Sequence, residues 1–378
     1  MKTDVIYLTN AFPQQRVLKW VNSLNELGYN VYVFSCRKEQ KKVSTFDNKM
    51  NFEVFGKGNF FDFNPYSYHR LRKLYRLIDK NNIEPKLIIV RDLFQSYIGY
   101  KLSKKYNAQL IIDVADNYPE VFKAITKNKL INSVLYYFFN YVEKKALFRA
   151  NIITTVSMHS KNLLIKKHRI NQEKIIPIRN IPLKIYNKDL PICKKDNNKI
   201  VYIGSYNENI RDLKTICRTI VRLYEELGIK LDIFTFDKAR VKNTLESELG
   251  KDYKKYINVQ DTVSNRDLFR VLSEYSMGLI PHFRSIATDY TEPNKLYDYI
   301  YSNIPVLSSD NPTLVDSIYR YRIGETYSPG DTESLYNAVI KILKNRELYV
   351  NNIKKIKGTL YWENDFRHLS DEIEKFML

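Results

Sequence analysis

The residues whose types and spacing suit chemistry best are Asp289-Tyr290-Thr291-Glu292-Pro293-Asn294-Lys295-Leu296-Tyr297-Asp298, followed shortly by Ile304-Pro305-Val306. Thr291 is a good N-cap type and Pro293 suits a first turn, so a helix is predicted to open here with its first N–H groups exposed. Such a helix end, with its dipole, binds an anion of the diphosphate kind. Asp298 follows Asn294 by four residues on the same helical face, where a carboxylate accepts hydrogen bonds from the two hydroxyls of a ribose. Lys295, and Arg284 just beyond Ile280-Pro281-His282, are cations suited to charge-assisted contacts with phosphate oxygens. Upstream, Ile200-Val201-Tyr202-Ile203 reads as a strand feeding a small-residue turn at Gly204-Ser205, where a phosphate can approach the backbone. His282 reads as a satisfied structural residue, and Asp113, inside an apolar run, as a structural one.

Elements of a recurrent kind must position these groups. In the first half, apolar runs at 5–8, 31–34, 87–90, 110–114, 152–156 and 175–178 read as strands buried on both faces. Helix-period segments at 16–27, 68–80, 96–106 and 133–148 alternate with them. Strand then helix, repeated, predicts a parallel doubly wound α/β sheet. The pattern breaks around Pro182, Pro191 and the polar run Lys194–Asn198, and then restarts. Strands are expected at 200–203, 231–236, 257–259, 277–280 and 305–308, with helices at 212–227, 266–274, 294–301 and 332–343. The expected organisation is two doubly wound Rossmann-like domains, 1–190 and 191–360, facing across a cleft, with an amphipathic terminal helix over 361–378 packing back on the first. Ligands of such sheets bind beyond the carboxyl ends of the strands.

Pro293-Asn294-Lys295-Leu296-Tyr297-Asp298-Tyr299 and Ile304-Pro305-Val306 resemble the PNKLFEY…GKPVV signature of GT-B glycosyltransferases similar to glycosyltransferase family 4. Three further stretches carry the likeness across the chain. Phe12–Lys19 with Leu27–Val31 resembles the family's N-terminal opening, which includes Arg16. Ile111–Glu120 resembles its "Y-D-x-H-D-x-x-P-E" stretch, and Glu143, Ala150-Asn151, Ser157 and Asn180 fall where the family closes its first domain. The resemblance implies a GT-B fold, a nucleotide diphosphate sugar as donor, retention of anomeric configuration and no metal or other cofactor. It assigns the acceptor to the first domain, with Arg16 and Glu120 on it, and the donor to the second. Arg211 falls where the family has the Lys or Arg of its phosphate clamp, and with Lys295 it would stabilise the leaving diphosphate. The sequence departs from the pattern in two places. Of the family's paired glutamates, the second position holds Asp298 and the first Tyr290, leaving Asp289 or Glu292 to substitute. The active-site His is replaced by Ala115, leaving Asp116 as the nearest ionisable candidate.

Charge adds a partner. Residues 1–190 hold 33 Lys and Arg against 15 Asp and Glu, a balance of +18, whereas residues 191–378 hold 28 against 27. A one-sided surplus of this size predicts that the first half meets something anionic. Residues 123–149 place Lys123, Lys127, Lys129, Lys144, Lys145 and Arg149 around the aromatic run Leu135-Tyr136-Tyr137-Phe138-Phe139, with Phe138 and Phe139 expected in the core. No apolar stretch approaches the roughly 18 residues of a membrane span, and the amino-terminal run is too short for a signal peptide. The expectation is a cytoplasmic protein, peripheral at the inner face of the cell membrane, in a bacterial surface polysaccharide or glycolipid pathway with a saccharide or lipid-linked acceptor. Cys36, Cys193 and Cys217 lack disulfide or zinc spacing and read as reduced and structural. Two alternatives compete. A nucleotide-sugar 2-epimerase shares the architecture but needs a histidine-rich cleft, with only His69, His159, His168, His282 and His368 available. A nucleic-acid-binding protein would use the basic half, yet no helix-turn-helix, RNP or zinc-finger pattern accompanies it.

Overall fold

In a computed structural model, residues 3–38, 50–57, 64–123, 126, 128–187, 198–264 and 266–377 are described, without the side chains of the last two. The chain forms two α/β units: Met1–Arg179 with Trp362–Leu378, and Asn180–Tyr361. The boundary precedes the expected residue 190, because Ile181 is buried among Tyr301, Ile304 and Leu360 and so belongs to the second core. Residues 188–197, which hold Cys193 and most of the expected linker, lie outside the described residues.

Unit 1 is built on β1 (Asp4–Phe12), β2 (Asn30–Lys38), β3 (Asn51–Val54), β4 (Pro85–Arg91), β5 (Gln109–Val114), β6 (Ile152–Thr155) and β7 (Ile175–Pro177). All pairings are parallel in the order β3-β2-β1-β4-β5-β6-β7. The central strands are apolar on both faces because helices cover both sides. Ile6, Leu8, Ile88, Val90, Ile112 and Ile153 are fully buried on one of them. The edge strand β3, Asn-Phe-Glu-Val, is half-exposed and lacks the apolar run by which the other strands are read. Trp362–Met377 forms a helix in this unit, where Trp362 is buried against Trp20 and its indole Nε1 donates to Ser23 Oγ at 2.9 Å. Asp365 receives the fork of Arg179 at 2.8 and 2.6 Å.

Unit 2 repeats the plan with β8 (Lys199–Ile203), β9 (Lys230–Phe234), β10 (Ile257–Gln260), β11 (Met277–Ile280), β12 (Val306–Ser309) and β13 (Gly324–Tyr327), in the order β10-β9-β8-β11-β12-β13. Its pairings are also all parallel. The helix Leu213–Leu227 starts at Asp212, whose Oδ1 accepts from Thr215 N at 3.2 Å, and ends at Gly228 with φ +67°. β13 and the helices Lys238–Leu249, Pro312–Tyr321 and Arg346–Lys357 are additions to the expected elements. In each unit the chain direction of winding reverses once, between β1 and β4 and between β8 and β11. These two switch points open crevices beyond the strand ends.

Candidate active site

The crevice of unit 2 gathers most of the expected donor residues. β8 ends at Gly204, where φ is +135°, a backbone region that L side chains rarely adopt. A Cβ added there would lie 2.7 Å from both Cε and Nζ of Lys295, so the missing side chain is the space through which the lysine passes. Lys295 comes from the first turn of the helix Asn294–Tyr301, and its Nζ also sits 5.5 Å from the centre of the Tyr202 ring. Arg211 reaches the same place from the loop after β8, which a bridge to His282 and the bond Asp212 N to Pro281 O (2.8 Å) fasten to the end of β11. Ser205 and Asn294 are exposed beside Gly204 and Lys295, and Asp298 lies one turn farther along the helix.

The electrostatics are those of an anion site. Burial, and then the neighbouring Arg211, push the Lys295 ammonium down to about 7, with Asp298 opposing them. His282 is held well below its usual value by burial, then by Arg211 and Lys295, so it is a neutral imidazole at physiological pH. Its two ring nitrogens and Nε of Arg211 are buried with no hydrogen-bond partner among the described residues. His282 therefore departs from its expected role as a satisfied structural residue. Buried donors and acceptors left unpaired cost about 1–3 kcal/mol each, a cost that a bound oxyanion removes.

Three details differ from expectation on this side. The helix is preceded by Pro293 at its N-cap position, with no capping side chain, while Thr291 Oγ1 donates back to Ala287 O at 3.2 Å. The expected cap is therefore spent on the preceding short helix, and the first N–H groups of Asn294–Tyr301 lack a side-chain acceptor. Glu292 is buried, accepting from Ser317 Oγ at 2.7 Å and from the Tyr297 hydroxyl, so it braces the loop rather than facing a donor. Arg284 forks onto Asp289 at 2.9 and 3.2 Å and lies 3.6 Å from Asp310, so its charge is neutralised within the loop.

Unit 1 places carboxylates at the equivalent crevice. Asp92, which the sequence reading passed over, follows β4 with φ +64°; its Oδ1 accepts from Ala115 N at 3.3 Å and its Oδ2 from Tyr118 Oη at 3.2 Å. Burial pushes its carboxyl up to about 7, opposed by Arg91 and assisted by Asp116 and Asp113. Asp116, following β5, is also pushed upward, by its packed surroundings and by Asp113; it reaches the surface, which weakens that push. The signal that locates Asp92 is its position just past an apolar strand.

The two residues expected on the acceptor are instead committed to the frame. Arg16 is buried, with Nε and Nη2 on Asp113 at 2.8 and 2.6 Å and Nη1 on Ile178 O at 3.0 Å. Asp113 also accepts from Thr154 Oγ1 at 2.6 Å and is held below its usual range by Arg16 once burial is outweighed. Glu120 is buried against Lys123 at 2.6 Å and Lys167 at 3.6 Å. Among the described residues no cluster of three or more His, Cys, Asp or Glu is arranged to hold a metal ion.

Residues 14–181 match the sequence model of Glycosyltransferase Family 4. The chain has the GT-B fold, and its residues 14–181 are similar to that family. The chain shares its fold with a sucrose-phosphate synthase from Thermosynechococcus elongatus at TM-score 0.74 and 12% identity, over 100% of this chain and 99% of that one. It is equally similar to Anabaena HepE in complex with UDP, at TM-score 0.74 and 11% identity over 99% and 100% of the two chains. The apo form of WaaB, a lipopolysaccharide outer core galactosyltransferase, superimposes at TM-score 0.68 with 15% identity over 99% of each chain. No curated protein sequence matches the chain.

Proposed function

We propose that the chain is a glycosyltransferase that moves a hexose, with retention, from a nucleoside diphosphate sugar to a saccharide or lipid-linked acceptor in bacterial surface glycan synthesis. The donor diphosphate is held in the crevice of unit 2. The observation that carries this reading is the convergence of Arg211, Lys295 and neutral His282 on Gly204, a small-residue turn where two cations meet, with Asp298 the acid that acts on Lys295. Arg211 and Lys295 offset the charge that develops on the diphosphate as the glycosidic bond breaks, a task that elsewhere falls to a divalent cation. Their arrangement exists before the donor arrives, so no reorganisation is needed during reaction. The open N–H groups of Asn294–Tyr301 add dipole and hydrogen bonds, and Asp298 takes the ribose hydroxyls. His282 donates from one ring nitrogen to a phosphate or sugar oxygen. In unit 1 the Asp92–Asp116 pair faces the acceptor, accepting from its hydroxyls. The basic balance of residues 1–190 directs this unit to an anionic surface, in keeping with a peripheral place at the inner face of the cell membrane. Melting shifts with UDP, GDP, dTDP and ADP test the donor site, since a ligand at 100 times its Kd stabilises by about 2.7 kcal/mol. One nucleotide should stand out, and no shift with any of the four would refute the assignment.

A further inference from the structure

The helix Lys129–Arg149 carries two apolar stripes, and only one of them is used by the fold. Phe139, Val142, Ala146 and Leu147 are buried against the rest of unit 1. On the other side Leu130 is 74% exposed, Val134 60%, Tyr137 70%, Tyr141 54% and Phe148 54%. At about 100° per residue these five side chains fall within an arc of about 60°, so they form one line along the helix. Phe138, expected in the core, is also exposed at its margin, where its ring meets Tyr66 edge-on at 6.3 Å. A contiguous exposed stripe of this kind marks an interaction surface.

Charge identifies what the stripe meets. Lys144 and Lys145 are exposed on either side of it, and Lys145 Nζ stands 5.5 Å from the centre of the Tyr141 ring. The only acid in the helix, Glu143, is turned away and buried, with His168 Nε2 at 2.6 Å and Lys167 Nζ at 2.8 Å. The exposed side is therefore apolar and cationic without an acid. A second copy of the chain would bring one basic unit against another, with +18 on each first half, so self-association is opposed. No helix among the described residues is long and apolar enough to cross a membrane. An apolar face bordered by lysines, with tyrosines at intermediate depth, is the pattern of a helix lying in the interface of an anionic bilayer.

We propose that the outer face of Lys129–Arg149 docks the enzyme on an anionic lipid surface, with Leu130, Val134, Tyr137 and Tyr141 entering the interfacial layer and Lys144 and Lys145 meeting the headgroups. This rests on the reading that the enzyme works at such a surface and names the segment that holds it there. The test is co-sedimentation of the full chain with phosphatidylcholine vesicles containing or lacking 30% phosphatidylglycerol, at low and high salt. The wild type should bind the anionic vesicles, with affinity falling as salt rises. Val134→Ser/Tyr137→Ser/Tyr141→Ser should lose at least about tenfold in partitioning at every salt concentration. Lys144→Gln/Lys145→Gln should lose mainly the salt-dependent part. Nucleoside diphosphate melting shifts, measured alongside, should be unchanged in both variants, which shows that they are folded and keeps the donor site separate from the lipid test. Wild-type partitioning by the triple variant would overturn the proposal. So would absence of vesicle binding by the wild type with its nucleotide shift intact, or a wild-type dimer that the triple variant abolishes. Loss of both vesicle binding and nucleotide shift in the wild type would instead bring down the underlying reading of the enzyme.

Discussion

The two units wind their central strands in the same order, β2-β1-β4-β5 and β9-β8-β11-β12, yet their crevices carry different ionisable groups. Unit 1 carries most of the chain's positive surplus, 33 Lys and Arg against 19 Asp and Glu, and keeps carboxylates, Asp92 and Asp116, at its switch point. Unit 2 is less basic, with 28 against 23, and concentrates Arg211 and Lys295 at its own. The gross charge of a domain thus describes the surface it shows to large partners, while the few groups at the strand ends describe its small ligand. One backbone plan serves both because the fold supplies only the location, and the chemistry is set by the side chains there.

The contrast can be broken most severely in unit 1. Ending the chain at Leu360 removes Trp362, Phe366, Leu369 and Ile373, all buried, each contributing about 1.5–3 kcal/mol. That sum rivals the whole stability of a domain, so unit 1 should unfold in a separate, earlier melting transition while unit 2 keeps its nucleoside diphosphate shift. A single unchanged transition would show that this helix does not hold unit 1 together.

A second break lies in the crevice of unit 2. Gly204→Ala places a methyl group 2.7 Å from the Lys295 ammonium in a left-handed backbone region, and should lower kcat by at least about a hundredfold. Arg211→Ala and Lys295→Ala should each lower kcat by about a hundred- to a thousandfold, since removing one charge-stabilising donor costs about 2.7–4 kcal/mol in comparable sites. Steady-state kinetics with an intact donor would check all three, and wild-type kcat in the two alanine variants would move the clamp elsewhere.

How much of this was legible in the sequence follows from the physics of each part. The inner strands announced themselves because strands covered on both faces need continuous apolar runs. β3 did not, since it is half-exposed and buries too little to require one, and β13 did not, since its buried residues Gly324, Glu325 and Tyr327 are not an aliphatic run. Lys295 and Gly204 stand out as candidates from a local motif and turn, and Arg211 from its place in the family resemblance. Arg16, Glu120, Arg284 and Glu292 were not assignable, because a charged side chain looks the same in sequence whether it awaits a ligand or is paired with a carboxylate from a distant strand. Asp113 and Arg16 are 97 residues apart. His282 was misjudged for the same reason: whether a buried imidazole has a partner is decided by tertiary packing alone.

A smaller effect separates the crevices by pH. Lys295 is charged in unfolded chains up to about pH 10 but loses its proton near 7 in the empty folded site. Above pH 7 a nucleoside diphosphate must therefore restore that proton, and affinity should fall by up to about tenfold per pH unit between 7 and 9. Lys295→Arg should flatten the profile. In unit 1 the sign is reversed. The folded carboxyl of Asp92 is raised to about 7 from 3.8, so its favourable contribution is full at low pH and is lost as pH rises through 7. Asp92→Asn, which tolerates the same positive φ, should raise the melting temperature at pH 8 by a few degrees and leave it nearly unchanged below about pH 4, as scanning calorimetry at the two pH values would show.

The central claim is that the crevice of unit 2, with its two cations and neutral histidine, is where the donor diphosphate binds. Calorimetric titration of the preferred nucleoside diphosphate at pH 8, in buffers of different ionisation enthalpy, tests it most directly. Wild-type protein should take up about one proton on binding, Lys295→Arg should bind with almost no uptake, and Arg211→Ala should bind at least about tenfold more weakly. Equal affinity and equal proton uptake in all three proteins would contradict the account.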